Sequence, residues 1–112
     1  AANVLYADSI IKGWVETRGG ASPAIDDDMN VSSLTDNGAG DFTINWATAF
    51  ASANYAVVGT IIGVNTTRLF LNESTTTTAK TASLVRMAIP EPSSGTLTDP
   101  PTGVSVIAIG LQ

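Results

Sequence analysis

The sequence predicts an all-β fold, and three observations carry that prediction. Apolar residues recur with period two rather than with helical spacing, β-branched residues concentrate in the same runs, and Gly, Asn, Asp and Pro punctuate those runs. At 112 residues the chain has room for one domain, 1–112, read as a lead-in segment over 1–9 and a β domain over 10–112. A domain of this size buries roughly two thirds of the surface of its unfolded chain, a margin that an oligomer interface would widen.

In the first twenty residues Val4, Ala7, Ile11 and Trp14 fit a 3.5-residue seam, whereas Ile11, Gly13 and Val15 fit a strand. The reading is a short helical or coil lead-in that passes into a strand. The segment from Arg18 to Asp28 combines Gly19 and Gly20 with three consecutive acids and shows no alternation, so it reads as a loop. Residues 31–35 lead into the turn residues Asp36, Asn37, Gly38, Ala39 and Gly40, in which Asn-Gly supplies the positive φ values of a hairpin turn. Phe42, Ile44 and Trp46 then point one way and Thr43 and Asn45 the other, which gives a hairpin with one aromatic, buried face.

Residues 55–64 are apolar on both faces, with Tyr55, Val57 and Ile61 on one and Ala56, Val58, Ile62 and Val64 on the other. Such a strand is expected at the centre of a sheet or at a subunit interface, because each face needs cover. A short run over 68–72 contains Leu69, Phe70 and Leu71, and the Thr-rich stretch 74–78 joins it to a strand over 81–89. Pro90 and Pro92 stop that strand, and the segment through Ser94, Gly95, Asp99, Pro100, Pro101 and Gly103, which cannot supply regular ladder hydrogen bonds, reads as a long surface loop. Residues 104–109 form a final strand tied into a sheet. The expected fold is an antiparallel, β-sandwich-like domain of about seven strands, with Trp14, Phe42, Ile44, Trp46, Tyr55, Val57 and Ile61 as core or subunit packing.

Composition narrows the function classes. Five Lys and Arg against ten Asp and Glu leave a net charge of −5, and Lys12, Arg18, Arg68, Lys80 and Arg86 make no basic face for a polyphosphate backbone, so nucleic acid is not an expected partner. The chain has no Cys and no His, which removes disulfides, thiolate catalysis and the commonest metal ligand and general base. The longest apolar stretch, 55–64, falls short of the ~20 residues of a membrane-spanning helix, and no basic region precedes an apolar cleavable segment. Membrane insertion is not expected. The Ala-Ala-Asn opening, without Met, suggests a fragment or a processed chain.

Candidate chemistry is sparse. Asp26, Asp27 and Asp28 lack the alternate-position carboxylates and Gly of a calcium loop and read as a solvated acidic turn. Asp8, Glu16, Asp41, Glu73 and Glu91 are the acids from which a glycosidase pair would be drawn, but the spacing defines no pair. Trp14, Phe42, Trp46 and Tyr55 could stack on sugar rings, yet they fall in the alternating pattern of core packing. No metal, cofactor or catalytic residue is assigned.

Three blocks of the chain carry a resemblance: LYADSIIKGWV over 5–15, MNVSSLTDNGAGDFTINW over 29–46 and ANYAVVG over 53–59, followed by the ending VSVIAIG over 104–110. In order and spacing they resemble the C-terminal domain of bacteriophage tail-fibre and other virion fibre proteins. The chain departs from that pattern at Gly13, where Ala is common, and at the acidic run of Asp26, Asp27 and Asp28. The resemblance implies a homotrimer packed about a fibre axis in the phage particle, on a tail fibre or the head surface. Other virion proteins and a bacterial surface receptor, with glycans among the candidates, are the implied partners. Small residues around the two-faced strand, Ala53, Ala56, Gly59 and Gly63, agree with close packing in a closed assembly.

Three functions follow as expectations. The first is a fibre or spike tip that attaches to the host surface. The second is a capsid decoration, head-fibre or fibre-joint trimer that binds other phage subunits. The third and weakest is a polysaccharide depolymerase, for which no catalytic constellation is visible. For attachment, the partner-facing residues are expected in the two unpatterned segments: Arg18, Asp26, Asp27 and Asp28 in one, Ser93, Ser94, Thr96 and Asp99 in the other.

Overall fold

Alternation along the chain becomes two four-stranded antiparallel sheets in the computed structural model, which describes residues 10–63, 69–75 and 79–112. Its strands are β1 (Ile11–Arg18), β2 (Ala24–Met29), β3 (Val31–Gly38), β4 (Asp41–Trp46), β5 (Ala56–Ile62), β6 (Asn72–Glu73), β7 (Leu84–Ala88) and β8 (Gly103–Ile109). Sheet A has the order β2-β1-β8-β5 and sheet B the order β3-β4-β7-β6. The described residues therefore hold eight strands rather than about seven, and they contain no helix. The expected lead-in over 1–9 lies outside the described residues.

The core forms where the inner faces of the two sheets meet. On sheet B, Phe42 lies opposite Met87 and Ile44 opposite Val85; on sheet A, Val15 lies opposite Val106, and Val104 and Ala108 continue the same face of β8. All are buried, and each large apolar side chain withdrawn from water in this way contributes roughly 1.5–3 kcal/mol. The pole from which β1 leaves is closed by an aromatic cluster. Trp46 meets Phe50 and Tyr55 edge-on, while Phe50 stacks on Tyr55 with centroids 4.1 Å apart. Gly13 makes room for the cluster, since a Cβ there would stand 2.7 Å from the Trp46 ring.

Phe42, Ile44, Trp46 and Tyr55 are thus core residues, as the alternation required. Trp14 is not. Val15 and Thr17 turn inward, so Trp14 falls on the outer face of sheet A and is half-buried. With Ile11, which the helical seam also used, it lies in strand β1. Val57 and Ile61 are half-buried and pack against the core from β5, which among the described residues pairs with β8 alone. The two-faced strand is consequently at the edge of sheet A and not at its centre.

Three further segments differ from the sequence reading. Asp26, Asp27 and Asp28 belong to edge strand β2, paired to β1, and not to a loop. In the β3–β4 turn the positive φ values fall on Gly38 and Gly40, at 130° and 61°, and not on Asn37. The run around Leu69 and Leu71 forms no strand; both residues pack against the core, and the short strand β6 follows them.

Candidate functional site

At one end of the sandwich the segments that carry Arg18 and Asp99, two of the residues expected to face a partner, come together. The turn after β1 lies against the segment between β7 and β8, where a Cβ on Gly20 would stand 2.6 Å from the Pro100 carbonyl oxygen and 3.8 Å from the Asp99 Cβ. Asp99 is engaged within the chain. Its carboxylate accepts the Gly40 N–H at 2.8 Å and ties the loop to the β3–β4 turn. Ser94 is held locally, donating to Glu91 Oε2 and accepting the Thr96 N–H, each at 3.2 Å. Ser93 and the Thr96 side of this turn are exposed. Arg18 reaches Asp26 at 3.5 Å, with both side chains more than half exposed, so this pair adds little stability. Asp27 and Asp28 lead away along the β2 edge.

A cleft of about 370 Å³ lies on sheet B between β6, the end of β7 and the following loop; Asp41, Asn72, Glu73, Pro90 and Leu97 line it. It holds two of the acids weighed for hydrolysis, and each has its own cation. Asp41 receives Arg86 in a two-pronged pair, Nε to Oδ1 at 2.8 Å and Nη2 to Oδ2 at 2.6 Å. Glu73 receives Lys80 at 2.8 Å. The Arg86 hydrogen bonds hold the Asp41 carboxyl below the ordinary carboxylate range against the opposing effect of burial. A general acid needs the reverse shift, so this carboxylate is suited to holding charge and not to delivering a proton at neutral pH. Among the described residues no three carboxylates converge on a point where a metal ion could sit.

The outer faces of the two sheets differ in kind. On sheet B, Asn45 Nδ2 donates to Ser33 Oγ at 3.1 Å and Thr35 Oγ1 at 3.0 Å, Asn37 Nδ2 donates to Thr43 Oγ1 at 2.9 Å, and Arg86 covers Asp41. That face is polar and internally bonded. On sheet A the register aligns Met29, Trp14, Ile107 and Val58 in one row across the strands β2, β1, β8 and β5. The next row, towards the start of β1, is Ile11, Ile109 and Ala56; on the other side Asp27, Glu16, Ser105 and Thr60 form a polar row. Exposure reaches 60% at Val58, 42% at Ile11, 39% at Met29 and 37% at Ile107. Between Val58, Thr60, Ser105 and Ile107 the surface is hollowed into a shallow pocket of about 200 Å³.

Sequence reasoning singled out Val58 only as one face of an apolar strand and did not reach Ile107 or Met29. The signal was present in β8, whose outward positions Ile107 and Ile109 are as apolar as its inward ones. No family model, curated protein or solved structure matches this chain.

Proposed function

We propose that this chain is a non-enzymatic structural module of a bacteriophage virion, the C-terminal domain of a trimeric fibre or spike that meets the host surface. The observation that carries the reading is the division of the molecule's surface. One sheet face is apolar, as an assembly contact requires; the other is polar and self-satisfied; and the acids of the cleft between β6 and β7 are neutralised by their own cations. A protein so built binds through surfaces, and among the described residues the acids of the cleft form no acid–base pair. The resemblance of residues 5–15, 29–46 and 53–59 to fibre C-terminal domains supplies the virion setting. Host contact is assigned to the acidic edge strand β2 and the exposed turn containing Ser93 and Thr96, which stand on a rigid sandwich.

The test is attachment. Fluorescently labelled protein should decorate host cells and compete with phage adsorption, and replacing Asp26, Asp27 and Asp28 together by Asn should weaken this while leaving the melting curve nearly unchanged. Absence of the chain from purified particles, together with no binding to any cell the phage infects, would overturn the reading.

A further inference from the structure

We infer that the β3–β4 turn is a self-modification site, at which Asn37 becomes an acidic residue through attack by its own chain with the Asp36 carboxylate as general base. The reaction needs only this turn and water, so it stands apart from the proposed virion role. Asn37 is the one Asn of the chain that is followed by Gly. The pairing of β3 with β4 is irregular between Asp36 and Gly38, and Asn37 has no cross-strand partner in the register. At Gly38 φ is 130° and a Cβ would meet nothing within 4 Å, so the backbone nitrogen that must attack is unshielded and water has access to it. The contact on that nitrogen carries the inference. Its N–H donates to Asp36 Oδ1 at 3.0 Å, within the reach that a general base needs to the proton it removes.

In the first step Asp36 takes the Gly38 N–H proton as the nitrogen bonds to Asn37 Cγ. The Cγ–Nδ2 bond breaks, and Nδ2 takes up that proton and leaves as ammonia. Water then opens the cyclic imide at either carbonyl, which yields a carboxylate on either the original or a β-linked backbone; nothing is oxidised or reduced. The product changes the turn. The Asn37 amide donates to Thr43 Oγ1 at 2.9 Å and to Asp41 Oδ1 at 3.4 Å, and both bonds are lost with it. A carboxylate in its place sets a like charge beside Asp41 and competes for Arg86. Gly40 of the same turn holds Asp99 through its N–H, so a loosened turn also loosens the segment before β8.

Folded wild-type protein held in mildly alkaline buffer, then digested and read by mass spectrometry, should show amide-to-acid exchange at Asn37 before it is detectable at Asn30, Asn45, Asn54 or Asn72. Conversion at Asn37 should be at least as fast as in the same chain unfolded in urea. Asp36→Ala, at an exposed position, should slow the folded protein several-fold and leave the urea-unfolded rate little changed. The converted protein and the variant Asn37→Asp should both melt below wild type. A folded chain that stays intact where the unfolded chain converts would overturn the site. Equal rates for folded wild type and folded Asp36→Ala remove the base, and a converted protein with an unchanged melting curve removes the effect on the turn.

Discussion

Asn30 joins the two sheets in a single residue. It is the one non-glycine among the described residues with positive φ, 64°, and it stands between β2 of sheet A and β3 of sheet B. Its side chain donates to the carbonyls of Lys12 at 3.0 Å and Thr48 at 3.1 Å, and accepts the Thr48 N–H at 2.6 Å, so the corner is pinned to both neighbouring segments. Asn tolerates this backbone region better than other residues with a Cβ. Asn30→Ala should therefore lower stability by about 1–3 kcal/mol, through lost hydrogen bonds and strain together. Asn30→Gly, which keeps the backbone freedom and loses only the side chain, should cost less; urea titration of the two variants separates the contributions. A charge effect belongs at the same scale. Because the Asp41 carboxyl titrates below its ordinary value of 3.8, its contribution is fully present above that pH and is lost as pH falls through the lower, folded-state value. Asp41→Asn should be less stable than wild type at pH 7, and the difference should close on acidification below about 3.8. Paired denaturation curves at pH 7 and pH 3 check the sign.

The elements that could be read from the sequence are those with one face in the core. The hairpin of β3 and β4 was legible because Phe42, Ile44 and Trp46 alternate with polar residues and are buried, although Thr43 between them is buried too. Trp46→Ala removes a ring that contacts Phe50 and Tyr55 and donates from Nε1 to Tyr55 Oη at 3.1 Å, so it should cost about 3–5 kcal/mol, measured as a loss in unfolding free energy. An unchanged melting curve would refute this packing. Strand β2 was not legible, since an edge strand needs only backbone pairing and Asp26, Asp27 and Asp28 show no apolar alternation; Ile25 alone packs against the core. Trp14 lies outside the core for a related reason. Strand β1 carries an irregularity between Ile11 and Gly13, so apolar character marks both of its faces and parity alone does not say which is inside. The partner-facing surface suffered most, because cross-strand rows such as Met29, Trp14, Ile107 and Val58 are assembled from residues far apart in sequence.

At the scale of the whole molecule, apolar attraction and charge repulsion pull the proposed trimer in opposite directions. Each chain brings a net charge of −5, and closing copies around one axis concentrates that charge. The apolar face of sheet A, as an assembly contact, gains nothing from Coulomb attraction. Added salt shortens the screening length from ~30 Å at 0.01 M to ~8 Å at 0.15 M, which relieves the repulsion between neighbouring copies while leaving the apolar contact intact. Sedimentation at fixed chain concentration should therefore show the trimer fraction rising with sodium chloride over that range, and the melting temperature should rise with chain concentration, as mass action demands of linked folding and association. Replacing Asp26, Asp27 and Asp28 by Asn removes three of the negative charges and should flatten the salt dependence without abolishing assembly. If salt instead dissociated the trimer, the copies would be held by ion pairs between charged edges, and the apolar face of sheet A would have to be covered by something other than this chain.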